Sequence, residues 1–177
     1  MTGAISKLQY ATAILILFSW SGTSYADTKT VSVVVPWQGQ GQIFPIGTDR
    51  LHFQGSIEGI MYIESAEGAM DEAFVQCPIT QSIEISSQSV SSTGNCTIVV
   101  STEDAVFAEL TCEGVRGFCL GEFKLTGGTG RFSDISGAGE MTVRSPVHAL
   151  AADLSDGTVL DIAAGILQIP ALTFTLP

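Results

Sequence analysis

Residues 123–140 read Phe-Lys-Leu-Thr-Gly-Gly-Thr-Gly-Arg-Phe-Ser-Asp-Ile-Ser-Gly-Ala-Gly-Glu and hold five glycines within thirteen positions. No helix forms through such a run, because glycine gives up the most backbone entropy on folding. Phe123 and Leu125 alternate with Glu122, Lys124 and Thr126, the period-two pattern of a strand with one buried face. Gly127, Gly128 and Gly130 then suit a tight turn that asks for positive φ, with Arg131 locking it to a nearby carboxylate. Arg131-Phe132 restarts extended chain. Gly137 and Gly139 suit a bulge or a closely packed barrel strand.

Strand-Thr-Gly-Gly-Thr-Gly also opens many dinucleotide-binding units. Those need a helix straight after the glycines, with its N-terminus on the pyrophosphate. Here Ser133 stands where the third glycine belongs, and Gly137 and Gly139 interrupt any helix. No Gly-Lys-Ser/Thr follows for a phosphate loop either. The glycines therefore read as sheet punctuation, and no cofactor is expected.

Gly121-x-Phe123-x-Leu125-Thr-Gly-Gly-Thr-Gly-Arg-Phe132, followed by Ile135-Ser-Gly137-x-Gly139, resembles the core motif of the allene oxide cyclase-like and dirigent-like β-barrels. It is also similar to secreted bacterial proteins of unknown function that carry such a motif. The close likeness covers about twenty residues. It implies one all-β domain, an eight-stranded antiparallel barrel with a lumen. No catalytic residue of those families falls on a matching position here, so the resemblance implies no activity.

Residues 1–26 read as a signal peptide and 27–177 as the single barrel domain. Lys7 is the only charge in the leader, Ala11–Trp20 is a short apolar run, and Ser24-Tyr25-Ala26 places small residues where signal peptidase cuts. The absence of an Arg-Arg pair favours the general secretory route. The expected location is periplasmic or secreted. Formal net charge is −11. So acidic a surface repels phosphate backbones and anionic membranes, and no nucleic-acid partner is expected.

Cys77, Cys96, Cys112 and Cys119 all share parity with the apolar residues of their strands, for example Cys96 with Ile98 and Cys119 with Phe123. An even count in an exported chain reads as two disulfides with inward sulfurs. Cys77–Cys96 and Cys112–Cys119 are favoured. Cys96–Cys112 competes, because a hairpin around Glu103-Asp104 would bring those two together. Three connectivities stay open on sequence alone.

Alternation places strands at 28–36, 51–54, 57–64, 74–79, 83–90, 96–102, 106–112, 118–126, 139–147 and 159–169, with 172–176 as a last edge strand. Trp37–Gln42 reads as a polar loop, 67–72 as an acidic loop and 149–154 as one helical turn. This pattern argues for a barrel or sandwich. A lipid-embedded barrel is disfavoured by sparse aromatics, so no stable membrane insertion is expected after cleavage.

Candidate chemistry is thin. Gly117-Phe-Cys119-Leu-Gly121 imitates a nucleophile elbow, but strand continues after it and Cys112 offers a disulfide. His52 and His148 lack metal-ligand spacing. Glu64, Glu67, Asp71 and Glu72 read as solvated charge, Asp153 and Asp156 as turn residues, and no metal site is expected. Arg50, Arg131 and Arg144 suit internal ion pairs or an anion at the barrel mouth. Glu58 is the candidate lumen acid, with parity that places it outside if Ile57 and Met61 face in. The expected function is non-enzymatic binding of a small apolar or amphipathic molecule, or of a protein. A cyclase, isomerase or dirigent-like activity in the lumen is the first alternative, and a structural protein with a filled barrel the second.

Overall fold

The computed structural model describes residues 27–146 and 159–176. Eight antiparallel strands form one closed barrel in which each pairs with its sequence neighbours and β1 closes on β8. They are β1 Asp27–Pro45, β2 Arg50–Ser65, β3 Met70–Glu84, β4 Ser89–Val99, β5 Ala105–Val115, β6 Phe118–Gly128, β7 Ser136–Arg144 and β8 Val159–Leu176. Closure leaves no edge strand, so no row of backbone donors and acceptors is left unpaired. The segment 172–176 is therefore no edge. It is the end of β8, bonded to β1 on one side and, at Phe174, to Gly137 of β7 on the other.

The chain alternates as the residue pattern requires. Val33, Val35, Met61, Val75, Ile98, Phe123, Met141 and Ile169 point inward and are buried. Glu58, Glu109, Glu122, Lys124 and Glu140 stand exposed on the opposite parity. At Glu122↔Glu140 two carboxylates face each other across β6 and β7, which only solvent tolerates well.

Several expected boundaries move: 51–54 and 57–64 are one strand, β2, and Arg131-Phe132 belongs to a 3-10 turn rather than to extended chain. Trp37–Gln42 is strand, not loop: its glycines point in and its glutamines point out. Gly41 pairs with Gly55. The Phe53 ring lies over both, 2.6 and 2.5 Å from where their Cβ atoms would be. Inward glycine here makes room for an aromatic ring. The expected strand 83–90 is broken by a turn at 85–88, where Gln88 takes φ 58°. The 67–72 loop shortens, since Met70, Asp71 and Glu72 already belong to β3. His148, Asp153, Asp156 and the helical turn at 149–154 lie outside the described residues.

The barrel has two unlike ends. The base carries the connections 66–69, 100–104 and 129–135 together with residues 27 and 176, which pair directly. The mouth carries 46–49, 85–88 and 116–117. The glycine motif builds the base. Gly127 and Gly128 end β6, and Gly130–Phe132 makes a single 3-10 turn. Gly130 sits at φ 56°, and its Cβ would lie 2.2 Å from Asp104 Oδ1. That carboxylate accepts from the Arg131 backbone N–H at 3.1 Å and pairs with Arg131 Nε at 3.2 Å. Thr129 Oγ1 accepts from Ala105 N–H and donates to the Glu103 carbonyl, both at 2.9 Å. The turn is thus fastened to the β4–β5 connection, and it drops Ile135, 4% exposed, into the core as a plug. Gly130→Val will lower stability by more than about 1 kcal/mol, because both the left-handed backbone and Asp104 oppose a side chain. Urea denaturation reads this, and an unshifted midpoint would detach the turn from the stability of the base.

Candidate functional site

The lumen is filled in its lower half and open in its upper half. Around Val35, Met61, Val75 and Phe123 the free space is only about 10 Å³, the scale of one water. Above them, at the mouth, lies a cavity of about 120 Å³. The split follows from side-chain size. The lower layers interdigitate Phe123, Met61 and Met141, whereas the upper layers put Gly39, Ala163 and Ser92 on the inner face.

Ile43, Leu51, Phe53, Ile57, Ile79, Ile83, Leu110 and Leu167 give the cavity its apolar wall. Trp37 lies across the floor, its ring 2.5 Å from where a Gly165 Cβ would be. Its Nε1 is buried and meets no acceptor. Gln81 Nε2 donates to Ser92 Oγ at 2.8 Å, so these two inward polar groups satisfy each other in part. Ser145 Oγ donates to the Ala164 carbonyl at 2.8 Å.

Arg116 lines the cavity from the two-residue turn between β5 and β6. The turn is held on both sides. Arg116 N–H donates to the Gln88 carbonyl, and Ser145 N–H to the Gly117 carbonyl, each at 3.0 Å. The positive φ of Gln88 serves the first of these contacts, since it shapes the rim turn that offers its carbonyl.

The cysteines pair as Cys77–Cys96 and Cys112–Cys119. Cys77 and Cys96 are level with each other across β3 and β4, by the register that sets Val75 opposite Ile98. Cys112–Cys119 spans β5 and β6 and forms part of the cavity wall. Cys119 is therefore no nucleophile, and the chain around it is strand. No free cysteine remains among the described residues.

The structure separates the other residues singled out by sequence. His52 and Glu58 lie on the outward parity of β2, away from the lumen, and Glu58 is exposed. Arg131 is at the base with Asp104, while Arg50 and Arg144 flank the mouth. Arg144 stacks its guanidinium 5.7 Å from the Phe118 ring centroid. Among the described residues, no group of three His, Cys, Asp or Glu side chains is placed to share a metal ion. Sequence reasoning passed over Arg116, Gln81 and Ser92. The available signal was parity: Gln81 and Ser92 share the inward parity of Ile79 and Val90.

No protein-family model, no curated protein and no solved structure matches the chain.

Proposed function

We propose that this is an exported barrel that binds one small apolar or amphipathic molecule in the mouth half of its lumen, without transforming it. The cavity of about 120 Å³ above a packed base carries this reading. Small eight-stranded barrels either fill the interior with side chains or hold one ligand there. A few polar groups in an apolar pocket are the usual make-up of a small-molecule site. A wholly filled structural barrel would have no such space.

The lining also favours binding over catalysis. Acid–base chemistry needs a group that gains or loses a proton near neutrality. Among the described residues the cavity wall offers for this only the Arg116 guanidinium, a donor without an acceptor site, and two cysteines already joined. Export is supported by two disulfides, which persist in oxidising compartments, together with the apolar leader and the small residues ahead of Asp27. The outward carboxylates support a water-surrounded barrel, since charge on a lipid face is costly. Net charge of −11 disfavours nucleic acid. Kinship with the allene oxide cyclase-like and dirigent-like barrels is part of the proposal at the level of the glycine motif only.

Native mass spectrometry of protein drawn from the host envelope tests this reading. The expected species starts at Asp27, has all four cysteines oxidised and carries one non-covalent adduct. Ala163→Phe, which places a ring in the cavity, should lose the adduct and stay folded. An adduct retained by Ala163→Phe would put the ligand elsewhere and sink the proposal.

A second reading, docking of a protein, is favoured by the outer face of β2–β4. Ile60, Phe74 and Val99 lie directly opposite one another across three strands and are about 40% exposed. Exposed apolar rows of this kind mark contact surfaces.

A further inference from the structure

We infer that the ligand is a small monocarboxylic acid, with a body about the size of one ring in the cavity and its carboxylate on Arg116. This rests on the lumen-binding reading above and adds the charge, size and polarity of the occupant.

Size comes first. A cavity of about 150 Å³ in another protein holds a single benzene. The 120 Å³ here matches one six-membered ring or a chain of similar bulk. The apolar wall of Ile43, Phe53, Ile79 and Leu110 suits such a body.

The polarity of the head follows from which lining groups are still uncommitted. Gln81 and Ser92 bond to each other, and Ser145 bonds to the chain. Gln81 and Ser92 keep both donor and acceptor capacity, whereas the Arg116 guanidinium, which has no side-chain partner among the described residues, can only donate, so the group it awaits is an acceptor. For a guanidinium the best-matched acceptor is a carboxylate, which it meets with two parallel hydrogen bonds.

Charge placement points the same way. Lys29, Arg50, Arg116, Lys124, Arg131 and Arg144 are all the Lys and Arg after residue 26. Three of them, Arg50, Arg116 and Arg144, stand at the mouth end. Among the described residues the ion pairs are Lys29–Asp27 and Arg131–Asp104, both at the base. Two acids of the mouth among the described residues turn elsewhere. Asp49 accepts from Ser86, and Glu84, although level with Arg50 across the strands, accepts from Ser87 and Ser89. Arg116 is half-buried, and its turn is fixed from both sides by Gln88 and Ser145. A cation held so, against the sign of the whole protein, focuses a field for an anion at the cavity entrance.

A matched trio tests this: 3-phenylpropionate, 3-phenylpropanol and 3-phenylpropylamine, titrated against the full chain with Trp20→Phe. Trp37 is then the sole tryptophan, and its emission reports the cavity floor. The acid should bind about tenfold more tightly than the alcohol, and the amine more weakly than both, as one charge-assisted bond predicts. Arg116→Gln should erase the difference between acid and alcohol. Arg116→Lys should keep part of it. If the alcohol binds as well as the acid, or Arg116→Gln keeps the preference, the acid inference is overturned and the cavity reading stands. If none of the three moves Trp37 emission, the cavity reading falls with it.

Discussion

Replacing both Cys77 and Cys96 with alanine is expected to lower the unfolding free energy by about 3 kcal/mol, and replacing both Cys112 and Cys119 by about 2.5 kcal/mol. The order follows from the sequence separations, 19 and 7 residues, since closing a longer loop removes more entropy from the unfolded chain. Urea melts of the two double variants, compared with parent protein kept oxidised, measure both values. Function should separate them in the opposite sense. Cys112–Cys119 walls the cavity, whereas Cys77–Cys96 sits in the packed half. The Cys112/Cys119 variant should therefore lose ligand affinity, and the Cys77/Cys96 variant should bind like the parent as long as it is folded. A ligand site insensitive to Cys112–Cys119 would mean that the occupied space is not the one at the mouth.

Phe123→Ala should cost about 3–5 kcal/mol, the largest effect expected of any single side chain here. Phe123 is 1% exposed and packs in the layer with Met61 and Met141, at 2% and 1%. The strands on either side are bonded into a closed ring, so the hole left by the ring cannot collapse. Phe53→Ala makes the control. Phe53 is also buried, at 6%, but it already borders open space and loses fewer contacts. Its cost should be clearly smaller. Equal losses, read from denaturant midpoints at unchanged slope, would show that the two halves of the lumen are packed alike.

The strands were legible wherever an apolar side chain marked the inward parity. All four cysteines kept the parity of their neighbours, so their inward placement followed from period two alone. Their partners did not. Cys96 with Cys112 remained open until the register put Ala108, not Cys112, opposite Cys96. Trp37–Gln42 was misread because its inward residues are glycines, and alternation of glutamine with glycine carries no hydrophobic signal. The reason for those glycines, the Phe53 ring, comes from another strand and is invisible locally. The same holds for the site. Trp37, Gln81, Ser92 and Arg116 come from β1, β3, β4 and the β5–β6 turn, and only closure of the barrel brings them to one cavity. Arg116 looked like any hairpin residue. Arg50, Arg131 and Arg144 carried the same two readings, an internal ion pair or an anion at the mouth, and the strands place Arg50 and Arg144 at the mouth end and Arg131 at the base with Asp104. For Arg131 the sequence offered a locking role but no partner, because Asp104 lies in a different connection.

Asp27 and Leu176 face each other across β1 and β8 at the base. Topologically the chain is a ring with a nick, and the nick is on the side away from the cavity. A support fused at residue 27 or residue 176 meets the barrel at its base. Tethering by either end therefore orients the molecule, with the mouth turned away from the support.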